Sequence, residues 1–299
     1  MELDAGRARR RTGRAALVAL IAPFALAASQ ALAADPPGPG TAAPAVTAPT
    51  SAATTVAPPA AATPPVVKPR PPVASTKPIP PPAPIEISAA DGLKLHGTYW
   101  AAPERGPVVL LLHQCNKDRK VWEPLALALA ANGIHAFAFD FRGIGESVNA
   151  ENDSFPQYHD ALWPSFVDDV DRMMSFVRTL PDIEVDRFGV VGAACGGSQA
   201  LLLSVRDPKV KAVCFFSTAL PWIAGTDVTQ FQLNRSIPML LISSEGDREA
   251  PSKSRMLFDQ GRDPLTKLIQ YKGEMHGTEL FGQDPGLVES MVRWFASVL

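Results

Sequence analysis

Phe188-Gly189-Val190-Val191-Gly192-Ala193-Ala194-Cys195-Gly196-Gly197 is an apolar run that ends in a cluster of small residues. Phe188–Val191 reads as a strand, because a short continuous apolar run suits a strand buried on both faces of a parallel sheet. Ser198–Val205 is patterned as a helix. The small residues between them predict a tight turn, because a strand and a helix can approach closely there only where side chains are minimal.

The chain on either side repeats this alternation. Upstream, Ile85–Ser88 and Leu93–Tyr99 alternate apolar and polar residues around Asp91-Gly92, which predicts a β-hairpin. Val108–Leu112 reads as a buried strand starting after Pro107. Val121–Ala131 reads as a helix stopped by Asn132-Gly133. Ala136–Phe139 reads as a strand. Phe166–Leu180 is a helix by the spacing of Phe166, Val170, Met173, Met174 and Val177. Downstream, Val210–Phe216, Met239–Ile242 and Leu268–Tyr271 are expected strands. Ser252–Phe258 and Leu287–Val298 are expected helices. The predicted fold class is α/β: a mostly parallel sheet with an N-terminal β-hairpin and helices on both faces. Two sizeable insertions, Val148–Pro164 and Leu220–Arg235, are too short for an independent lid domain, so the site is expected to be fairly open.

In open α/β sheets, ligands bind at the carboxyl ends of the strands. The third strand is followed by His113-Gln114-Cys115-Asn116. The fourth is followed by Asp140-Phe141-Arg142-Gly143-Ile144-Gly145-Glu146-Ser147, and the fifth by Gly192-Ala193-Ala194-Cys195-Gly196-Gly197. The seventh is followed by Ser244-Glu245-Gly246-Asp247, and the eighth by Gly273-Glu274-Met275-His276-Gly277. These motifs, in this order, resemble the α/β-hydrolase superfamily over the whole folded part. The likeness is nearest to its small, lidless esterase-like and dienelactone-hydrolase-like members. Leu111-Leu112-His113-Gln114 resembles their oxyanion-loop start, which is more often His-Gly. Asp140 to Ser147 resembles their D-x-R-G-x-G-x-S turn.

The resemblance implies a nucleophile–acid–histidine triad in that chain order. Asp247 matches the acid and His276 the base; Glu245 is a nearby acid whose position fits less well. The imidazole would take the nucleophile's proton, and the carboxylate would hold its tautomer. The nucleophile position departs from the pattern. The register Gly192-x-Ala194-x-Gly196 puts alanine there, which has no attacking atom. A second register, Ala193-x-Cys195-x-Gly197, offers a thiol. In the first register the Cys195 N–H becomes one oxyanion donor, and the second comes from the loop at Gln114-Cys115. Cys115 and Cys195 lie on loops that converge there, with Cys214 on the adjacent strand, so a Cys115–Cys195 disulfide and three free thiols are both open.

Other function classes find little support. The formal net charge of -2 gives no basic footprint for nucleic acid. His96, His135 and His159 form no metal-ligand spacing, the three cysteines make no zinc set, and no phosphate-binding loop or cofactor motif is present. The expected partner is a small acyl compound, as substrate or as ligand. Trp163, Trp222 and Phe231 flank the expected mouth of the site, as pocket lining or as packing. The reactions left in view are hydrolysis of esters, lactones or related acyl compounds, or ligand binding by an inactive relative.

The domain expected from Ile85 to Leu299 follows two further segments. Arg7, Arg9, Arg10, Arg11 and Arg14 precede an apolar stretch, Ala15–Ala28. With Ala31-Leu32-Ala33, they read as an export signal over residues 1–33, cleaved before Ala34. The apolar stretch is short of the ~20 residues of a membrane span. The chain is therefore expected in the periplasm or outside the cell. Residues 34–84 hold more than half of the 30 prolines. They are expected to be a disordered, semi-stiff spacer.

Overall fold

The computed structural model describes residues 77–149, 159–218 and 236–299. The chain divides into two units, Met1–Thr63 and Pro64–Leu299, and the described residues all belong to the second. The export signal and nearly all of the spacer lie outside the described residues. So do most of the two insertions, Trp222, Phe231, and the side chains of His159 and Trp163.

Among the described residues, eight strands form one sheet. They are β1 Ala83–Ser88, β2 Lys94–Trp100, β3 Gly106–Leu112, β4 His135–Phe139, β5 Ile183–Ala193, β6 Val210–Phe216, β7 Met239–Ser244 and β8 Lys267–Tyr271. Their spatial order is β1-β2-β4-β3-β5-β6-β7-β8. The β1–β2 and β2–β4 pairs are antiparallel, and every later pair is parallel. The expected α/β architecture, with its leading hairpin, is what the chain forms. β1 begins two residues before the expected domain boundary at Ile85.

Among the described residues, the helices are α1 Glu123–Ala131, α2 His159–Val177, α3 Cys195–Arg206, α4 Ala250–Gln260, α5 Leu280–Gln283 and α6 Leu287–Val298. Two apolar layers cover the two faces of the sheet. Val170, Met173, Leu201 and Leu257 from α2, α3 and α4 pack on one face. Leu125, Leu129, Met291 and Phe295 from α1 and α6 pack on the other. β3 and β4 are buried along their whole length, as expected for strands covered on both sides.

β5 and α2 begin earlier than expected, at Ile183 and His159, and three further boundaries differ for a clear local reason. β3 includes Pro107, because the β3–β5 register shifts between Gly106 and Val108, and a bulge needs no N–H from that residue. The helix expected from Val121 is split into a 3₁₀ turn, Arg119–Trp122, and α1, whose first turn contains Pro124. Proline lacks a donor, so it is tolerated where helical N–H groups have no partner. α3 starts at Cys195, three residues before the expected Ser198. Two glycines hide a helical start from propensity alone.

Two buried histidines pin strands together. His135 Nδ1 accepts from the Ala102 N–H at 3.0 Å and lies 2.8 Å from the Tyr99 hydroxyl; its Nε2–H donates to the Glu104 carbonyl at 3.0 Å. His113 Nε2 accepts from the Phe141 N–H at 2.9 Å, and its Nδ1–H donates to the Gln114 carbonyl at 2.8 Å. Each ring is thereby set in its neutral form. Burial holds both below the usual histidine pKa and pushes the Tyr99 hydroxyl up to about 12.

A histidine depressed in the fold binds its proton first in the unfolded chain. Stability is therefore complete above about pH 6.5 and declines as pH falls below it. Urea unfolding between pH 7.5 and 5.5 is expected to show this loss, at up to about 1.4 kcal/mol per pH unit for each histidine. Unchanged stability across that window contradicts the assignment.

Candidate active site

The turn between β5 and α3 is set by steric contact. A Cβ on Gly192 would lie 2.2 Å from the Gly196 carbonyl oxygen. A Cβ on Gly196 would lie 2.3 Å from the Leu112 carbonyl oxygen, and one on Gly197 would strike Thr218. Strand and helix therefore touch backbone to backbone. The corner residue is Ala194, at φ 47° and ψ −113°. A non-glycine residue in such a conformation costs roughly 1–3 kcal/mol. The Ala194 N–H donates to the Phe216 carbonyl at 2.9 Å, and its own carbonyl accepts from Gly197 at 3.0 Å. The turn thus follows the Gly192-x-Ala194-x-Gly196 register. Cys195 is the first residue of α3, and its N–H has no intrahelical acceptor.

Cys195 is bonded to Cys115 on the loop after β3. Their Cα atoms are 5.8 Å apart, inside the range a disulfide can span. Both half-cystines are partly exposed. Cys214 stays free and buried, and burial pushes its thiol pKa well up.

Gln114 is buried, and both the oxygen and the nitrogen of its side-chain amide are hydrogen-bonded. Its Oε1 accepts from the Thr278 N–H at 2.9 Å and from the Thr278 hydroxyl at 3.1 Å, and its Nε2 donates to Asn116 Oδ1 at 3.0 Å. Gly277, at φ +57°, leaves room for that amide: a Cβ there would lie 2.0 Å from Gln114 Oε1. Gln114 is thus a strut from the β3 loop to the loop that carries His276. Nothing in the local sequence signals the strut, because its partner is 164 residues away.

Asp247 and His276 meet where β7 and β8 end. His276 Nδ1 lies 2.8 Å from Asp247 Oδ1 and 3.0 Å from Oδ2. A carboxylate only accepts, so Nδ1 carries the hydrogen and the neutral ring presents a lone pair at Nε2. Asp247 is buried, while the His276 side chain is 39% exposed. The two loops are joined by Glu245 N–H to the Tyr271 carbonyl at 2.8 Å and Gly246 N–H to the Gly273 carbonyl at 2.9 Å. Glu245 turns away to pair with Lys272 at 2.7 Å.

The turn after β4 is a scaffold. Asp140 is fully buried and accepts from the Arg119 N–H at 2.8 Å, the Glu146 N–H at 2.9 Å and the Arg119 guanidinium. Gly145, at φ +58°, is required because a Cβ would meet the Asp140 carboxylate. Arg142 binds Asp169 through two hydrogen bonds at 2.7 and 2.8 Å, and Asp91 at 2.6 Å. Ser147 Oγ accepts from the His96 N–H at 2.8 Å. Among the described residues, no group of histidines, cysteines and carboxylates could hold a metal ion, and no helix is long and apolar enough to cross a membrane.

Known proteins resemble this chain in sequence and in fold. The family model described as serine aminopeptidase, S33 (Hydrolase_4), matches residues 103–232, a stretch that stops before Asp247 and His276. A thiohydrolase of Aspergillus aculeatus is 23% identical over 215 residues, covering 69% of this chain and 63% of that protein. A thiohydrolase of Arthrinium phaeospermum is 26% identical over 199 residues, covering 66% and 58%. The chain thus spans about three-fifths of the length of these two relatives. The uncharacterized protein YfhR of Salmonella typhimurium is 28% identical over 249 residues, covering 72% of this chain and 82% of that protein. Among solved structures, the α/β hydrolase GrgF of Penicillium sp. superposes with a TM-score of 0.60 at 15% identity, covering 73% of this chain and 99% of that chain. The Pyrococcus furiosus esterase Pf2001 superposes at 0.56 and 18%, covering 72% and 89%. These structural likenesses concern the fold.

Gln114→Ala is expected to leave the buried Thr278 N–H without its acceptor, lowering unfolding free energy by about 1–3 kcal/mol. Urea denaturation measures this. An unchanged midpoint and slope would show that the strut is idle.

Proposed function

This chain belongs to the α/β-hydrolase superfamily, and from that premise we propose that it is a pseudo-hydrolase that binds a small acyl compound without forming an acyl-enzyme. The observation that carries this reading is Ala194 at the positive-φ corner between β5 and α3. That corner is where the nucleophile of the fold stands, and a methyl group has no electron pair to attack a carbonyl. Cys195, the alternative nucleophile, has its sulfur bonded to Cys115.

The rest of the machinery supports a pocket that still recognises an acyl group. The Cys195 N–H sits where an oxyanion donor belongs, and the loop at Gln114-Cys115 is tied close to it. The ligand class is that of esters, lactones and thioesters. The thiohydrolases and esterases among the relatives favour this class. No cofactor or metal enters this reading.

The intact Asp247–His276 pair favours a second, weaker activity. His276 is partly exposed, and its Nε2 could take a proton from water directly. Such a reaction lacks a covalent intermediate. Oxyanion stabilisation and binding alone leave roughly 10³–10⁴-fold acceleration over water.

Hydrolysis of short p-nitrophenyl esters and acyl thioesters by the full chain tests the proposal. Wild type is expected to show no burst and little turnover. Ala194→Ser is expected to raise kcat/KM by at least about 10³-fold, and Ala194→Ser/His276→Ala to lose that gain. Robust wild-type turnover that disappears in Cys195→Ala overturns the reading in favour of a cysteine nucleophile.

Export is part of the same proposal, supported by the arginine cluster, the apolar stretch Ala15–Ala28 and Ala31-Leu32-Ala33. N-terminal sequencing of the protein recovered from cell fractions is expected to find a chain starting near Ala34 outside the cytoplasm. Full-length chain retained in the cytoplasm contradicts it.

A further inference from the structure

The Cys115–Cys195 bridge joins two sulfurs in unlike surroundings. Cys195 opens the 12-residue helix α3, with no acidic residue in its first turn. The next two residues are Gly196 and Gly197, and Cys195 Sγ lies 4.0 Å from the His113 carbonyl oxygen. Cys115 lies on the loop after β3, beside the exposed Asn116 and four residues before the 3₁₀ turn Arg119–Trp122, so it does not open a helix. Both half-cystines are partly exposed, whereas Cys214 is buried. Neither half-cystine is fully buried, and the two ends of the bridge sit in different backbone surroundings.

We infer that the Cys115–Cys195 disulfide is a thiol-exchange site for low-molecular-weight thiols. The thiolate of the small thiol attacks Cys115 Sγ. A new S–S bond forms between them, the Cys115–Cys195 bond breaks, and Cys195 departs as a thiolate. A second thiolate then attacks the mixed disulfide, releasing the small disulfide and leaving Cys115 reduced. Two electrons pass from two small thiols to the protein disulfide. The direction of attack follows from leaving-group ability, because the lower-pKa thiol leaves faster. A helix N-terminus lowers a thiol's pKa, since its N–H groups and dipole favour negative charge. Exchange uncouples the β3 loop from the start of α3 and exposes a thiolate next to Ala194.

This inference goes beyond the proposed ligand-binding role and does not depend on it. Its test uses no acyl compound, so the two readings fail separately. The oxidised full chain is incubated at pH 7 with millimolar glutathione under native conditions. Samples are quenched with acid and mapped by mass spectrometry. A glutathione adduct on Cys115, a free Cys195 and an unmodified Cys214 are expected. A disulfide that resists until denaturant is added overturns the inference, as does an adduct confined to Cys195. A second measurement uses Cys115→Ser and follows alkylation of Cys195 by iodoacetamide against pH. The midpoint is expected at least about one unit below the ordinary thiol value of ~8.5. A midpoint at or above ~8.5 overturns the leaving-group assignment. If that variant does not fold, the glutathione mapping on the unmodified protein decides alone.

Discussion

The end of β5 passes so close to the start of α3 that the backbone of one lies against the backbone of the other. Gly192 and Gly196 permit this contact, and a single Cβ at either would intrude on a carbonyl. The chain must then reverse within one residue, which forces Ala194 to positive φ. The same approach brings the first turn of α3 alongside the end of β3. That proximity is what lets Cys195 reach Cys115. The geometry of the candidate site follows from this one crossing.

Around the crossing, the loops are clamped to each other rather than built from one segment. His113 joins the β3 loop to the turn after β4. Gln114 joins it to the loop of His276, and the disulfide joins it to α3. The ends of β7 and β8 are held by backbone bonds from Glu245 and Gly246, which place Asp247 beside His276. The turn after β4 spends its charged groups on internal pairs with Arg119 and Asp169. His276 is held in place by Asp247, and Ala194 stands at the corner of the turn. The strained turn is kept with Ala194 at its corner, and the proposed binding role rests on that residue.

Much of this was legible from the sequence. Short apolar runs and 3.6-residue periodicity located the strands and most of the helices, because each depends only on neighbours along the chain. The small residues from Gly192 to Gly197 marked the turn, and Asp247 and His276 stood at the strand ends where an acid and a base belong. Local patterns failed where local propensity was overridden. Pro107 entered β3 at a bulge, and α3 began on Cys195-Gly196-Gly197 because tertiary contact, not helix preference, ordered that turn.

The sequence by itself determined the order of elements, the identity of the acid and base candidates, and the presence of alanine and cysteine side by side at the turn. Only the tertiary structure decided which of those two sits at the corner, since φ at 194 depends on the strand–helix approach. It also decided that Cys115 and Cys195, 80 residues apart, are bridged while Cys214 is not. It assigned Gln114 to Thr278 and sent Glu245 to Lys272, leaving Asp247 for His276. Periodicity and steric size are properties of a short stretch and can be read from it. A contact between distant residues exists only once the sheet order and the loop conformations have set two segments side by side.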